Sequence, residues 1–241
     1  MFAANDARLI LWLIDNIRER LAPTKDRQSV ETVRKAVVDA YRGLFEERFF
    51  AGRLSRYGFD SFEQFRREGL AVFGPELMAS FSKEIDAFDL GISLIAYGFD
   101  KGPPYGHQHI FTVENPGVVY DCDLLGFGIA GSGHDPALAT LLSKPLKQLP
   151  VVETVWRLCE AKFSAEAAFA VGKETTVIIL REDGKTDWIS PMSLKAIREV
   201  WEKEQHAGIS PEASKAVRLG LLSLMREIDR DEPKVVDILK D

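Results

Sequence analysis

The chain has 241 residues, of which 46% are hydrophobic, so it is long enough to bury a large core in one globular domain. Its formal net charge of −6 argues against a general nucleic-acid binder and against electrostatic attachment to a membrane surface. Two cysteines are too few for a disulfide framework, and no signal peptide or membrane span is recognisable, which favours a cytoplasmic protein.

The first fifty residues have the periodicity of two helices. Apolar residues recur at spacings of three and four between Asp6 and Leu21, which predicts an amphipathic helix that stops before Pro23. Ser29 is a candidate N-cap for a longer second helix, because its side chain can accept a hydrogen bond from a first-turn N–H group. The buried face of this second helix is expected to run to Phe49.

From 51 to 90 the pattern stays helical, but glycines interrupt it. Ser61 is the expected cap of a short helix that reaches Arg67. Pro75 fits the first turn of another helix that ends near Lys83, since proline is tolerated at that position.

After Leu90 the pattern changes to short apolar runs bounded by turn residues, which predicts strands. Glycine and proline mark turns at 102–104 and at 115–117. The four expected strands are 92–99, 107–113, 118–120 and 124–130.

Helices return in the C-terminal half, with two short strands among them. Asp135 is expected to cap a helix through Leu142, and Ser193 to cap a helix through Glu204. Strands in the middle with helices before and after favour an α+β fold in which helices cover the sheets. The remaining expected elements are helices at 153–170 and 213–228, strands at 175–180 and 186–189, and a charged C-terminal end at 229–241.

Short motifs along the chain match, in order, those of proteasome β-type subunits. The start Phe2–Ala7 is similar to the small-residue beginning of that family's first helix, and Gly98-Phe99-Asp100 to the motif that ends one of its strands. The turn Gly102-Pro103-Pro104 and the run Gly128–Gly133, with its Gly-Ser-Gly before a helix, resemble the segments that follow. Over about 2–201 the sequence thus resembles the N-terminal-nucleophile (Ntn) hydrolases, and a helical insert near 42–82 points to a bacterial proteasome-related branch.

The resemblance implies a four-layer αββα sandwich formed by a single domain over 1–241, with the insert at 42–82 and a C-terminal helical extension at 208–241. It also implies a threonine-type peptidase family, a homo- or hetero-oligomer of related subunits, peptide or protein substrates for an active form, and no cofactor.

The nucleophile of this family is a Thr, Ser or Cys at the first mature position, and the α-amine of that residue is the base. This sequence begins Met1-Phe2, so we expect it to start after the strands that carry the nucleophile. Only Ser132 offers a suitable residue directly after a glycine, and cleavage there would split the sheet region. The stretch Ala168–Thr176 matches the segment that supports the nucleophile with Asp-x-x-Ser, and it lacks that motif.

We therefore expect the chain as given to be inactive, with no catalytic, cofactor-binding or metal-binding residues assigned. Two alternatives remain open from the sequence. One is a non-catalytic structural or assembly subunit, and the other is an α+β binding module unrelated to the proteasome.

Two histidines lie two residues apart on an expected strand. His107 and His109 would share one face, and a metal site would need a third ligand such as Asp121, Asp123 or His134. Two ligands alone are too few for zinc, so half-exposed polar positions are the better interpretation.

The segment from Gly131 to Asp135 contains every residue type of a hydrolytic triad. Ser132, His134 and Asp135 are too close in sequence to converge as a triad normally does, and the Gly-x-Ser-x-Gly elbow is absent. A tight strand-to-helix turn with Asp135 as the cap is the better interpretation.

The segment 41–67 interleaves aromatic residues with arginines, an arrangement that can hold single-stranded nucleic acid. Acidic residues offset most of the charge, and the aromatic spacing is that of a buried helix face, so we expect a core and a subunit interface here. Cys122 and Cys159 are interpreted as packing thiols, because no neighbouring Lys or Arg activates Cys122.

Overall fold

The computed structural model describes residues 2–4, 7–22, 28–100, 107–143, 146, 149–207 and 235–236. The chain divides into two compact units, Met1–Lys101 with Phe111–Asp121, and Gly102–Ile110 with Cys122–Asp241. The expected helix at 213–228 and the turn at 102–104 lie outside the described residues.

Two helices and a four-stranded sheet build the centre of the first unit. The sheet has the order β1-β2-β3-β4, and β1 pairs antiparallel with β2, as β3 does with β4. The first three residues of β3 belong to the second unit. The bounds are Phe2–Ala4 for β1, Ala7–Leu21 for α1, Val30–Phe49 for α2, Ser93–Phe99 for β2, Gln108–Glu114 for β3 and Val118–Asp121 for β4.

The core between these elements follows from their apolar faces. Leu13 of α1, Leu44 of α2 and Val113 of β3 are fully buried in one cluster. Tyr41 is also fully buried, and its hydroxyl donates to the carbonyl of Ile92 over 2.7 Å. Burial raises the pKa of this phenol far above its ordinary value, so the group stays neutral and tethers α2 to the start of the sheet.

A helical segment after α2 has an aromatic core of its own. The chain continues through a π-helical turn, Phe50–Leu54, and a 3₁₀ turn, Ser55–Tyr57, into α3 at Phe62–Ala87. Gly74, with φ of 72° and ψ of 173°, is not helical and lies immediately before Pro75, so α3 consists of two helices joined at a kink, as the sequence predicts. Edge-to-face and tilted ring contacts fill the bend; the rings are Phe49, Tyr57, Phe59, Phe62, Phe65, Phe73, Phe81 and Phe88.

Within its described residues the second unit combines three helices with a three-stranded sheet. The strand order is β5-β6-β7, with β5 antiparallel and β7 parallel to β6. Trp156 and Cys159 of α5 lie in one buried cluster with α6, and a second cluster joins α4 to α5. The bounds are His134–Leu142 for α4, Val151–Ala165 for α5, Ile178–Leu180 for β5, Thr186–Ile189 for β6, Pro191–Ala207 for α6 and Val235–Val236 for β7.

The structure confirms an α+β fold and corrects several local predictions. No strand forms at 124–130: the N–H groups of Leu125 and Gly126 both donate to the carbonyl of Cys122, which makes a turn instead. The helix expected to reach 170 ends at Ala165, because the following N–H groups bond three residues back and Ala170 has φ of 70°.

Two expected helix caps are also wrong. Gly133 is the N-cap of α4, and the Asp135 side chain is 96% exposed within the first turn. Ser190 replaces Ser193 at the start of α6, since its Oγ accepts from the N–H of Ser193 over 3.1 Å. Ser29 and Ser61 cap α2 and α3 as predicted.

Candidate functional site

The segment 166–177 joins α5 to β5, and it contains the stretch 168–176 that the sequence resemblance associates with support of a nucleophile. A group of charged side chains fixes its conformation. We call Lys162, Glu166 and Arg198 the Glu166 cluster. Two of its members lie on α5 or directly after it, and the third lies on α6.

Glu166 is the centre of this cluster. Its two carboxylate oxygens accept from the two guanidinium NH groups of Arg198, each over 2.7 Å. Lys162 Nζ donates to one of the same oxygens over 2.6 Å. The Glu166 side chain is only 9% exposed, so these contacts are shielded from water and stronger than surface ion pairs.

The two cations also hold the main chain of the segment. Lys162 Nζ donates to the carbonyl of Gly172 over 2.7 Å, and Arg198 donates to that of Lys173 over 2.8 Å. The guanidinium of Arg198 lies 4.1 Å from the centroid of the Phe163 ring, a cation–π contact. The side chains of Lys162 and Arg198 therefore hold the main chain at Gly172 and Lys173 in place.

The electrostatics make this cluster a structural element rather than a proton-transfer site. Burial alone would raise the pKa of Glu166, but hydrogen bonds from Arg198 and Lys162 outweigh it and lower that pKa below the usual value. A general base works best with a pKa near the operating pH, and a carboxylate with both oxygens occupied has neither that pKa nor free access. Nearby, burial raises the pKa of the Cys159 thiol to about 12, in agreement with a packing role.

Of the two histidines, only His109 lies on β3, since the strand begins at Gln108. His109 Nδ1 lies 2.7 Å from Asp123 Oδ2, and Asp123 Oδ1 accepts from the N–H of Ile110 over 2.7 Å. Asp121 instead forms an ion pair of 3.0 Å with Arg34. Among the described residues no group of three or more His, Cys, Asp or Glu side chains is placed to hold a metal ion. The sequence analysis named Asp123 as a possible partner of the histidines, and the structure pairs it with His109.

The Ser132, His134 and Asp135 segment is a turn. His134 Nδ1 lies 3.0 Å from Asp135 Oδ1, and no hydrogen bond joins Ser132 to this pair within the part of the chain that the structure describes. Gly133 is required for packing, because a Cβ there would lie 2.7 Å from the Cβ of Ala165. The Gly-Ser-Gly motif therefore forms a tight turn before α4, as expected, but Gly133 and not Asp135 is the N-cap.

The interleaved aromatic and basic residues of 41–67 form core and ion pairs. Phe49, Phe62 and Phe65 are buried in the aromatic cluster. Arg66 forms an ion pair of 3.2 Å with Glu46 and lies 4.6 Å from the Phe62 ring centroid. These three rings are thus not available as a stacking platform for bases.

Comparison with known proteins adds evidence on the fold. No protein-family model matches the chain, and no curated protein matches it. A solved structure does: the Anbu (Gly-1) mutant from Hyphomicrobium sp. strain MC1, with a TM-score of 0.54 and 15% identity over 87% of this chain and 78% of that one. Anbu is a bacterial proteasome-like member of the Ntn hydrolases. The fold of this chain is proteasome-like.

That likeness shows the fold alone. At 15% identity it carries no residue of the Anbu active site over to this chain. Among the described helices none is both long enough and apolar enough to cross a membrane.

Proposed function

We propose that this chain is a proteasome-like subunit of the Ntn superfamily that assembles with copies of itself or with related subunits. The observation that carries the proposal is the likeness to Anbu over 87% of the chain with a TM-score of 0.54. The ordered series of motifs from Phe2 to Gly133 supports it independently. The proposal includes the four-layer αββα arrangement, the single domain over 1–241, the insert at 42–82 and the extension at 208–241.

We further propose that the 241-residue chain does not hydrolyse peptides and contributes to assembly instead. The segment 168–176 contains neither Asp nor Ser. The charged residue next to this stretch, Glu166, is neutralised by Arg198 and Lys162. These residues hold the segment in one conformation, and they offer no group that could receive a proton from a nucleophile.

Three measurements test the two parts separately. Light scattering after size-exclusion chromatography should give a mass that is a multiple of the 27.0 kDa chain, and a strictly monomeric protein would contradict the assembly proposal. A panel of fluorogenic peptides should show no turnover above buffer, and turnover abolished by a threonine-directed inhibitor would contradict the second part. Sequencing the N-terminus of the protein from its natural source shows whether a Thr, Ser or Cys precedes or replaces Met1.

A further inference from the structure

The turn Ala168–Val171 presents a phenylalanine almost completely to solvent. Phe169 is 98% exposed. The N–H of Val171 donates to the carbonyl of Ala168 over 3.3 Å, which closes a four-residue turn with Phe169 and Ala170 at its centre. A phenylalanine normally gains free energy by leaving water, so its position at the tip of a turn needs an explanation.

This turn is rigidly held. The N–H of Ala168 donates to the carbonyl of Ala165 over 3.0 Å on one side. On the other side Val171 packs into the buried cluster of α4 and α5, and the Glu166 cluster fixes the next two carbonyls. Phe169 is therefore displayed in a defined direction, and binding through it would cost little ordering of the backbone.

The backbone of the turn is also strained. Ala170 has φ of 70°, a conformation that a turn of this kind normally assigns to glycine. Such a residue persists only where its surroundings determine it, and strain of this kind concentrates at binding sites. The strain and the exposed ring occur at adjacent residues.

The residues around Phe169 have the composition of a self-complementary interface. Ala167 and Ala170 are exposed and leave a low apolar surface beside the ring, while Lys173 and Glu174 follow as an exposed pair of opposite charges. Neither charged side chain forms an ion pair with any residue that the structure describes. An apolar centre with a charged rim is typical of protein interfaces.

We propose that this turn is the contact through which two copies of the chain associate about a two-fold axis. In such a contact the same patch meets itself, so each residue pair occurs twice. Phe169 of one copy covers the small residues Ala167 and Ala170 of the other, and Lys173 faces Glu174 of the partner subunit. The inference rests on the proposed assembly and specifies which surface makes one of its contacts.

The first experiment replaces the anchor. Phe169→Ala should weaken two-fold association at least about tenfold, because aromatic anchors at interface centres dominate binding free energy. Sedimentation velocity of wild type and variant over a dilution series measures this change. In an assembly larger than a dimer, the variant should have half the wild-type mass.

Cross-linking tests the symmetry. The two natural cysteines, Cys122 and Cys159, are buried. An Ala167→Cys variant keeps the Phe169 ring and places a new exposed thiol in the patch that meets its own copy, so a short bis-maleimide should link two copies into a dimer. Lys195→Cys, at a side chain that is 77% exposed, is the matched control and should stay monomeric on a non-reducing gel.

Charge reversal tests the rim. Lys173→Glu places acidic groups opposite each other, and Glu174→Lys does the same with basic groups, so each single variant should weaken association. The double variant exchanges the signs and should restore most of the wild-type affinity. Equal affinity for all three variants would overturn the proposed Lys173–Glu174 facing.

The outcomes separate this inference from the proposed function. A wild-type oligomer whose mass, affinity and cross-linking do not depend on Phe169 overturns the two-fold contact and leaves the proposed subunit role intact. A wild type that is monomeric at every concentration overturns both. Association lost in Phe169→Ala without any Ala167→Cys cross-link would also refute the two-fold arrangement, because the ring would then contact a different surface.

Discussion

Neutralising Glu166 should destabilise the fold strongly, because its carboxylate is the common acceptor for Arg198 and Lys162. In Glu166→Gln the amide oxygen can accept from one cation, but both cations remain partly buried without a counter-charge. Removing one partner of a buried ion pair costs about 3–5 kcal/mol, and the partial exposure of Arg198 and Lys162 reduces the expected loss here to about 2–4 kcal/mol.

Urea unfolding followed by circular dichroism measures this loss at neutral pH. Glu199→Gln is the matched control: it lies one residue after Arg198, is 55% exposed, and faces Lys195 at 4.0 Å, so it should lose less than about 0.5 kcal/mol. Arg198→Lys should fall between the two, since it keeps the charge but loses the two-point contact and the stacking on Phe163.

The pH dependence gives a second, independent signature of the same cluster. The Arg198 and Lys162 contacts lower the pKa of Glu166 in the folded state below its ordinary value of 4.5. A lowered carboxyl pKa contributes stability that is complete above the unfolded value and is lost as the pH falls through the folded value. Wild type should lose this contribution below pH 4.5. The unfolding free energy of Glu166→Gln should therefore change less with pH in that range than that of wild type. Equal unfolding free energies for Glu166→Gln and Glu199→Gln at neutral pH would refute the reasoning.

Three further predictions concern single positions. Gly133→Ala should cost about 1–3 kcal/mol, because its new Cβ meets that of Ala165 at 2.7 Å, and an unchanged melting temperature would contradict the close approach. Ala170→Gly should raise the unfolding free energy by about 0.5 kcal/mol by relieving a φ of 70°, whereas Ala167→Gly, the control outside the positive-φ positions, should lower it. Tyr41→Phe should cost about 1 kcal/mol in urea unfolding through the lost bond to a main-chain carbonyl, and no loss would mean that water replaces the hydroxyl.

Local signals in the sequence predicted most of the helices. The expected helix 6–21 is observed as Ala7–Leu21, and Ser29 and Ser61 cap their helices, because apolar spacing and capping act over a few residues. The strand 186–189 has the expected bounds. The run 124–130 was the main error: it is apolar enough for a strand, but β-pairing depends on partners elsewhere in the chain, and local bonds to Cys122 form a turn instead.

The candidate site could be predicted only in part. Lys162 and Glu166 have the spacing of a helical ion pair, which is readable from sequence, and the structure shows that pair at 2.6 Å. Arg198 lies 32 residues further along, and only the packing of α6 against α5 brings it to Glu166. The exposure of Phe169 could not be predicted from the sequence either. An apolar residue in an alanine-rich stretch predicts burial in a helix, but the helix ends four residues before Phe169.

The division of the chain between its two units has a consequence for its modularity. The chain changes unit three times, after Lys101, after Ile110 and after Asp121, and the second change lies inside β3. No contiguous fragment therefore contains all of one unit and nothing of the other. A gene fusion, a circular permutation or a proteolytic cut could therefore not isolate either unit intact.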